Sequence, residues 1–173
     1  MSIPPKNYEE PSVFTPINLL REARRQKSIP EGTIPKVCIL DPDGDIVQNL
    51  VATGQARLNT YWACYHTQMY NFAYREIEFG IVGNAVGASF AVLVAEEMFA
   101  SGCTLLLSMT SAGQIVTKGT PPYFVLIERA LRDEGTSYHY LPPAPYSVIN
   151  PKLMESLKDA FEQSQPPVFR GST

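Results

Sequence analysis

The chain has little that would mark it for the membrane, the secretory route or nucleic acid. No apolar run approaches the ~20 uninterrupted residues of a membrane-spanning helix. Its N-terminus carries prolines and the pair Glu9-Glu10 before any apolar stretch, which is not the pattern of a signal peptide. Charge of one sign is lacking too: 14 basic and 17 acidic residues leave a net −3, with no basic footprint for a nucleic-acid backbone. The three cysteines, Cys38, Cys64 and Cys103, sit singly in apolar runs. That spacing suggests buried reduced thiols in a cytoplasmic protein rather than a disulfide framework. There is one tryptophan, there are two histidines, and there is no internal repeat. What remains is 173 residues, 45% of them hydrophobic, enough for a core of its own.

The informative stretch is Glu78 to Gly113. Phe79–Val82 is a short apolar run, and Gly83, Asn84 and Gly87 break the chain after it. Ala88–Ala100 is apolar nearly all round, which predicts a helix covered on every side. Ser101-Gly102 stops that helix. Thr104–Leu107 is continuous in apolar residues, the pattern of a parallel strand buried on both faces. Strand, helix and strand make a βαβ unit with a right-handed crossover. The turns Gly83–Ser89 and Ser108–Gly113 then lie at carboxyl strand ends, where open α/β sheets bind ligands.

Around this unit, Pro16–Lys27 is a short helix with Leu19, Leu20 and Ala23 on one side. Its arginines and Lys27 form a basic face, either solvated or covering a neighbouring subunit. Ile34–Leu40 is the first strand, and Ile46–Ala52 is helical, closed by Gly54. Between them Asp41, Asp43 and Asp45 suggest calcium, but Gly44 precedes the third acid and Ala52 stands where the calcium loop needs Glu. A turn that stabilises the helix N-terminus is the better reading, and no metal is expected. Tyr61–Tyr65 and Gln68–Tyr74 look like a short meander, with Trp62 in the core and His66 a surface or hydrogen-bonded residue. Pro122–Ile127 is a further strand, Asn150–Gln163 an amphipathic helix capped by Asn150, and Pro167 begins another strand.

Four segments together resemble the nucleoside phosphorylase superfamily, which includes purine and uridine phosphorylases and methylthioadenosine nucleosidases. They are Val37–Pro42, the Gly83–Ser89 turn with its helix, Thr110–Gly113, and Arg132–Tyr140. The resemblance covers Pro35 to the C-terminus. It implies a three-layer α/β fold with a twisted central mixed sheet, C-terminally truncated relative to the family. The expected division is an arm of residues 1–33 and a partial domain of residues 34–173. It also implies cleavage of the N-ribosidic bond of a purine or pyrimidine nucleoside, with phosphate or water as co-substrate and no cofactor. The implied partners are the nucleoside, phosphate and further copies of the chain in a homo-oligomer.

By position in the family motifs, Val86 and Gly87 would border ribose and phosphate, Ser111 would hold phosphate or water, and Ala112-Gly113 would approach ribose and base. Asp41, Asn84, Ser108, Thr110 and His139 complete the rim. Two positions depart from the phosphorylase pattern. Where that pattern has its two phosphate-binding arginines, this chain has the sequence Leu40-Asp41-Pro42-Asp43-Gly44 and, later, Ser108. Charge-assisted bonds to a dianion are lost and like charge replaces them, so hydrolysis is favoured over phosphorolysis. The resemblance further implies that base-binding residues and the proton donor follow Val168, so no catalytic residue is assigned; Asp133 or His139 would have to serve. A catalytically inactive nucleoside-binding or assembly homologue is the alternative. A generic doubly wound binding domain is the third reading, lacking a phosphate fingerprint of the dinucleotide or P-loop kind.

Overall fold

The computed structural model describes residues 6–173. The chain divides into two compact units, Ser12–Ala112 and a second that takes in the chain up to Pro11 together with Gly113–Thr173. The division therefore falls at the turn after the fifth strand, and the helix Pro16–Lys27 belongs to the first unit.

In the first unit the elements run α1 (Pro16–Lys27), β1 (Val37–Asp41), α2 (Asp45–Ala52), β2 (Arg57–Leu58), β3 (Tyr70–Tyr74), β4 (Ile77–Gly83), α3 (Ala88–Ala100) and β5 (Leu105–Ser108). The sheet order is β2-β3-β4-β1-β5. β1 is parallel to β4 and β5, while β3 is antiparallel to β4 and β2. The predicted strand–helix–strand unit is thus present, with β1 laid between its two strands.

Period-two alternation sorts the sheet into two faces. Cys38, Leu40 and Val82 pack with Val94 and Met98 of α3, and Trp62, Cys64 and Met69 close the same cluster. Ile39 and Ile81 pack on the other face with Val47, Ile46 and Leu50 of α2. Helix, sheet and helix are the three layers. The three cysteines are free and buried, and burial, with Cys103 alongside, pushes the Cys38 thiol far above its ordinary range.

Three expectations need correction here. β5 is the edge of its sheet, not a strand buried on both faces; Leu105 and Leu107 are 37% and 41% exposed. α3 has the predicted bounds but is not covered all round, since Phe99 is 51% exposed while Val94 and Met98 are fully buried. Only Tyr70–Tyr74 of the expected aromatic meander is strand, paired with β4 and the short β2.

The reason for the last lies in how the backbone of residues 61–64 is satisfied. Asn59 Oδ1 accepts from the Tyr61 and Trp62 amides at 2.8 and 2.9 Å. Arg24 donates to the Tyr61 carbonyl at 2.8 Å and Lys27 to the Cys64 carbonyl at 2.6 Å. Amides already bonded to a side chain have no donor left for a ladder. Two cations of α1, Arg24 and Lys27, therefore hold this segment, while Arg21 and Arg25 stay largely exposed.

The second unit is a three-stranded sheet of order β7-β6-β8, from β6 (Phe124–Leu131), β7 (Tyr146–Val148) and β8 (Val168–Ser172). β6 runs four residues beyond the predicted strand. Asn150 caps α4 (Pro151–Ser156) by accepting from Lys152 and Leu153 amides. The helix ends at Ser156 instead of Gln163; it buries no residue, and a short helix without a buried face is marginal. Among the described residues no helix is long and apolar enough to cross a membrane.

Candidate functional site

The parallel register sets three carboxyl strand ends side by side. Asp41 pairs with Gly83 and Leu40 with Ser108, so the turns 41–45, 83–87 and 108–112 leave the sheet together. They are stitched by backbone bonds: the Asn84 amide donates to the Asp41 carbonyl and the Met109 amide to the Leu40 carbonyl, both at 2.9 Å. The first two turns approach closely. A Cβ on Gly44 would stand 2.5 Å from Asn84 Oδ1, and one on Gly83 would stand 2.5 Å from Val47 Cγ1. Gly44 also has φ 82°, a region that L side chains avoid.

The aspartates of the first turn do separate work. Asp41 is 1% exposed, and its carboxylate accepts from the Gly44 amide at 3.1 Å and the Val47 amide at 2.9 Å. Both donors lie at the N-terminus of α2, where a negative charge is favoured. This is the helix-stabilising turn the sequence suggested, and it directs Asp41 inward. Asp43 is exposed and reaches across to the third turn. It accepts from the Ser111 amide at 2.6 Å and from the Thr110 hydroxyl at 3.2 Å. Those bonds, the Ser111 amide first, hold the Asp43 carboxyl below its ordinary value. Among the described residues no group of three or more His, Cys, Asp or Glu side chains is placed to hold a metal.

Of the residues singled out in the sequence, Asp41, Asn84, Ser108, Thr110 and Ser111 share this one edge. In the second turn Asn84 takes a left-handed conformation (φ 62°) and Gly87 has φ 91°. Ala85 is buried under the sheet and Val86 is 69% exposed, an apolar side chain held outward between polar turns. Ala112 closes the first unit and Gly113 opens the second. His139 also belongs to the second unit, at the end of a 3-10 turn, where Lys6 Nζ pairs with its Nδ1.

A cavity of about 730 Å³ opens beside the second turn, bordered by Gly83, Asn84, Tyr65, His66, Tyr70 and Phe90. It shares Gly83 and Asn84 with the predicted rim and takes nothing from the third turn. His66 meets the Phe90 ring edge-on at 6.4 Å and the Tyr65 ring at 6.2 Å. Behind this wall Glu97 of α3 is buried, with Oε2 lacking a hydrogen-bond partner. Burial raises its pKa, against opposing contributions from Cys64, His66 and Lys27. Sequence reading placed Tyr65 in a meander and took His66 for a surface or hydrogen-bonded residue, and it did not single out Phe90. For Tyr65 and His66 the only local signal was two adjacent rings between the apolar runs; Phe90, in α3, gave none.

The fold is a mixed α/β sheet with small, polar turns gathered at the carboxyl ends of its parallel strands; open sheets of the α/β class bind ligands at such ends. Residues 36–173 match the sequence profile of the phosphorylase superfamily, and the chain belongs to that family. Solved structures agree in fold. Uridine phosphorylase from Vibrio fischeri ES114 superposes with a TM-score of 0.65 at 21% identity, over 82% of this chain and 57% of that one. Purine nucleoside phosphorylase from Toxoplasma gondii, in complex with immucillin-H, gives 0.62 at 15%, over 81% and 56%. The 5'-methylthioadenosine/S-adenosyl homocysteine nucleosidase of Campylobacter jejuni gives 0.61 at 15%, over 80% and 63%. No curated protein sequence matches the chain. The chain spans less than two thirds of the length of each of these neighbours.

Proposed function

We propose that this chain carries the nucleoside-binding strand-end rim of an enzyme that cleaves an N-ribosidic bond, with water rather than phosphate as nucleophile. The observation that carries the reading is the chemistry of the rim. Family membership brings the ancestral reaction, and three turns meet at the strand ends, the Ser111 hydroxyl among them. No arginine stands at Leu40–Gly44 or at Ser108, and the carboxylates of Asp41 and Asp43 lie there instead. A phosphate dianion needs charge-assisted partners and would meet like charge; neutral water needs only the hydrogen bonds. The nucleoside would lie along Val86-Gly87 and Ser111-Ala112, its apolar contact coming from the exposed Val86.

The test is base release from inosine, adenosine and uridine, followed chromatographically with and without phosphate. Release independent of phosphate supports the reading, and strict phosphate dependence overturns it. Saturable nucleoside binding without any release would favour the alternative of a binding or assembly homologue.

A further inference from the structure

We propose that Asp43 is a built-in counter-anion: its carboxylate occupies the donors at the end of β5 that a free oxyanion would need, and so excludes inorganic phosphate from that turn. The inference rests on the reading of these turns as the ligand rim, and it names the residue that sets the nucleophile.

The geometry is specific. An exposed acidic side chain gains most from solvation by water, yet Asp43 spans two turns to bring Oδ2 within 2.6 Å of the Ser111 amide and Oδ1 within 3.2 Å of the Thr110 hydroxyl. These are donors of the kind an oxyanion takes, a backbone N–H and a hydroxyl converging from one turn. A second set, the Gly44 and Val47 amides at the α2 N-terminus, is filled in the same way by Asp41. Two of the places at this edge where backbone N–H groups gather are thus already filled by carboxylates of the chain itself, whereas the N-terminus of α3 has no side-chain cap. An entering phosphate would have to displace Asp43 from these donors and remain beside its charge. The partners of Asp43 are neutral and hold the ionised form, as the lowered pKa indicates, so the block persists throughout the neutral range.

Asp43→Ala vacates the Ser111 amide. Asp43→Asn keeps the shape and one acceptor oxygen while removing the charge, which guards against a variant that loses its fold. The probe is inorganic phosphate, titrated against the ¹⁵N-labelled chain and read at the Ser111 amide resonance, with a thermal melt of each variant. We expect no saturable shift in the wild-type chain, a saturable shift in Asp43→Ala with affinity raised by about tenfold or more, and an intermediate response in Asp43→Asn. Wild-type binding at Ser111 equal to that of Asp43→Ala would overturn the proposal. So would two folded variants that gain nothing. A parallel titration with inosine and uridine, read at the Val86 amide, separates the two layers. Nucleoside shifts without a phosphate gain sink the Asp43 proposal alone. A phosphate gain without nucleoside shifts leaves Asp43 as an anion block and removes the nucleoside reading of the rim.

Discussion

Removing the Asp41 carboxylate should unfold the first unit more readily than any surface change on the rim. Asp41→Ala takes away two charge-assisted hydrogen bonds from a site that is 1% exposed. Each such bond is worth ~1.5–3 kcal/mol, but the two losses differ. The Gly44 amide keeps the Asp41 backbone carbonyl as an acceptor at 3.0 Å, whereas the Val47 amide at the third position of α2 loses its 2.9 Å side-chain partner. The helix N-terminus also loses a nearby negative charge, worth up to ~2 kcal/mol where partly buried. Relief of the desolvation of a buried carboxylate works in the other direction. The balance is a loss of about 2–4 kcal/mol. Asp41→Asn should lose roughly half as much, because its amide oxygen can serve Val47 while its NH₂ faces Gly44, the donor that retains another acceptor. Trp62 is the chain's single tryptophan and sits in the cluster under α3, so urea unfolding followed by its fluorescence reports on this unit alone. At a mid-range slope of ~2 kcal/mol per molar urea, the midpoint of Asp41→Ala should fall by about 1–2 M. A change within the ~0.5 kcal/mol of an ordinary surface substitution would refute the assignment of Asp41 as the anchor of α2.

Glu97 should make the first unit less stable as pH rises. Its folded-state pKa lies above the ordinary 4.5 because burial disfavours the charge, so the folded chain holds the proton more tightly than the unfolded chain. Its stabilising effect is complete below the unfolded value and is lost as pH climbs from there through the raised one. Glu97→Gln should therefore gain on wild type across that window in melts recorded at stepped pH; parallel curves would contradict this. In the second unit, Arg132 is 4% exposed and donates to Ser137 Oγ and to the Leu141 and Pro142 carbonyls, with its guanidinium 4.5 Å from the Tyr138 ring centre. Arg132→Ala should cost about 2–4 kcal/mol locally and speed amide exchange over residues 132–142, and lysine should not restore it, since it lacks the planar fork. Exposed Leu105 and Leu107 on the open β5 edge should promote self-association, seen by light scattering as a mass above that of the monomer; a monodisperse monomer would count against it.

Local rules were enough for the elements whose causes are local. The bounds of α1 and α3 follow from Pro16 at the first helical position and from Ser101-Gly102 after Ala100, and α2 starts one residue earlier than its spacing predicts because Asp45 continues the turn. The apolar runs of β1 and β4 and the small-residue turns after them are properties of short windows, as is the Asn150 cap. The family resemblance was legible for the same reason, since its segments are turns whose glycines and hydroxyls are read one after another along the chain. What the sequence could not decide was adjacency. An apolar run such as Leu105–Leu107 is compatible with a central or an edge strand, and only the pairing order made it an edge. The residues 61–64 have strand composition, but side chains distant in sequence, Arg24 and Lys27, take their carbonyls. Asp43 carried the same ambiguity. Beside Asp41 and Asp45 it was one acid of three in a turn, and its meaning came from the Ser111 amide 68 residues away in sequence, which reaches it only because β1 lies between β4 and β5.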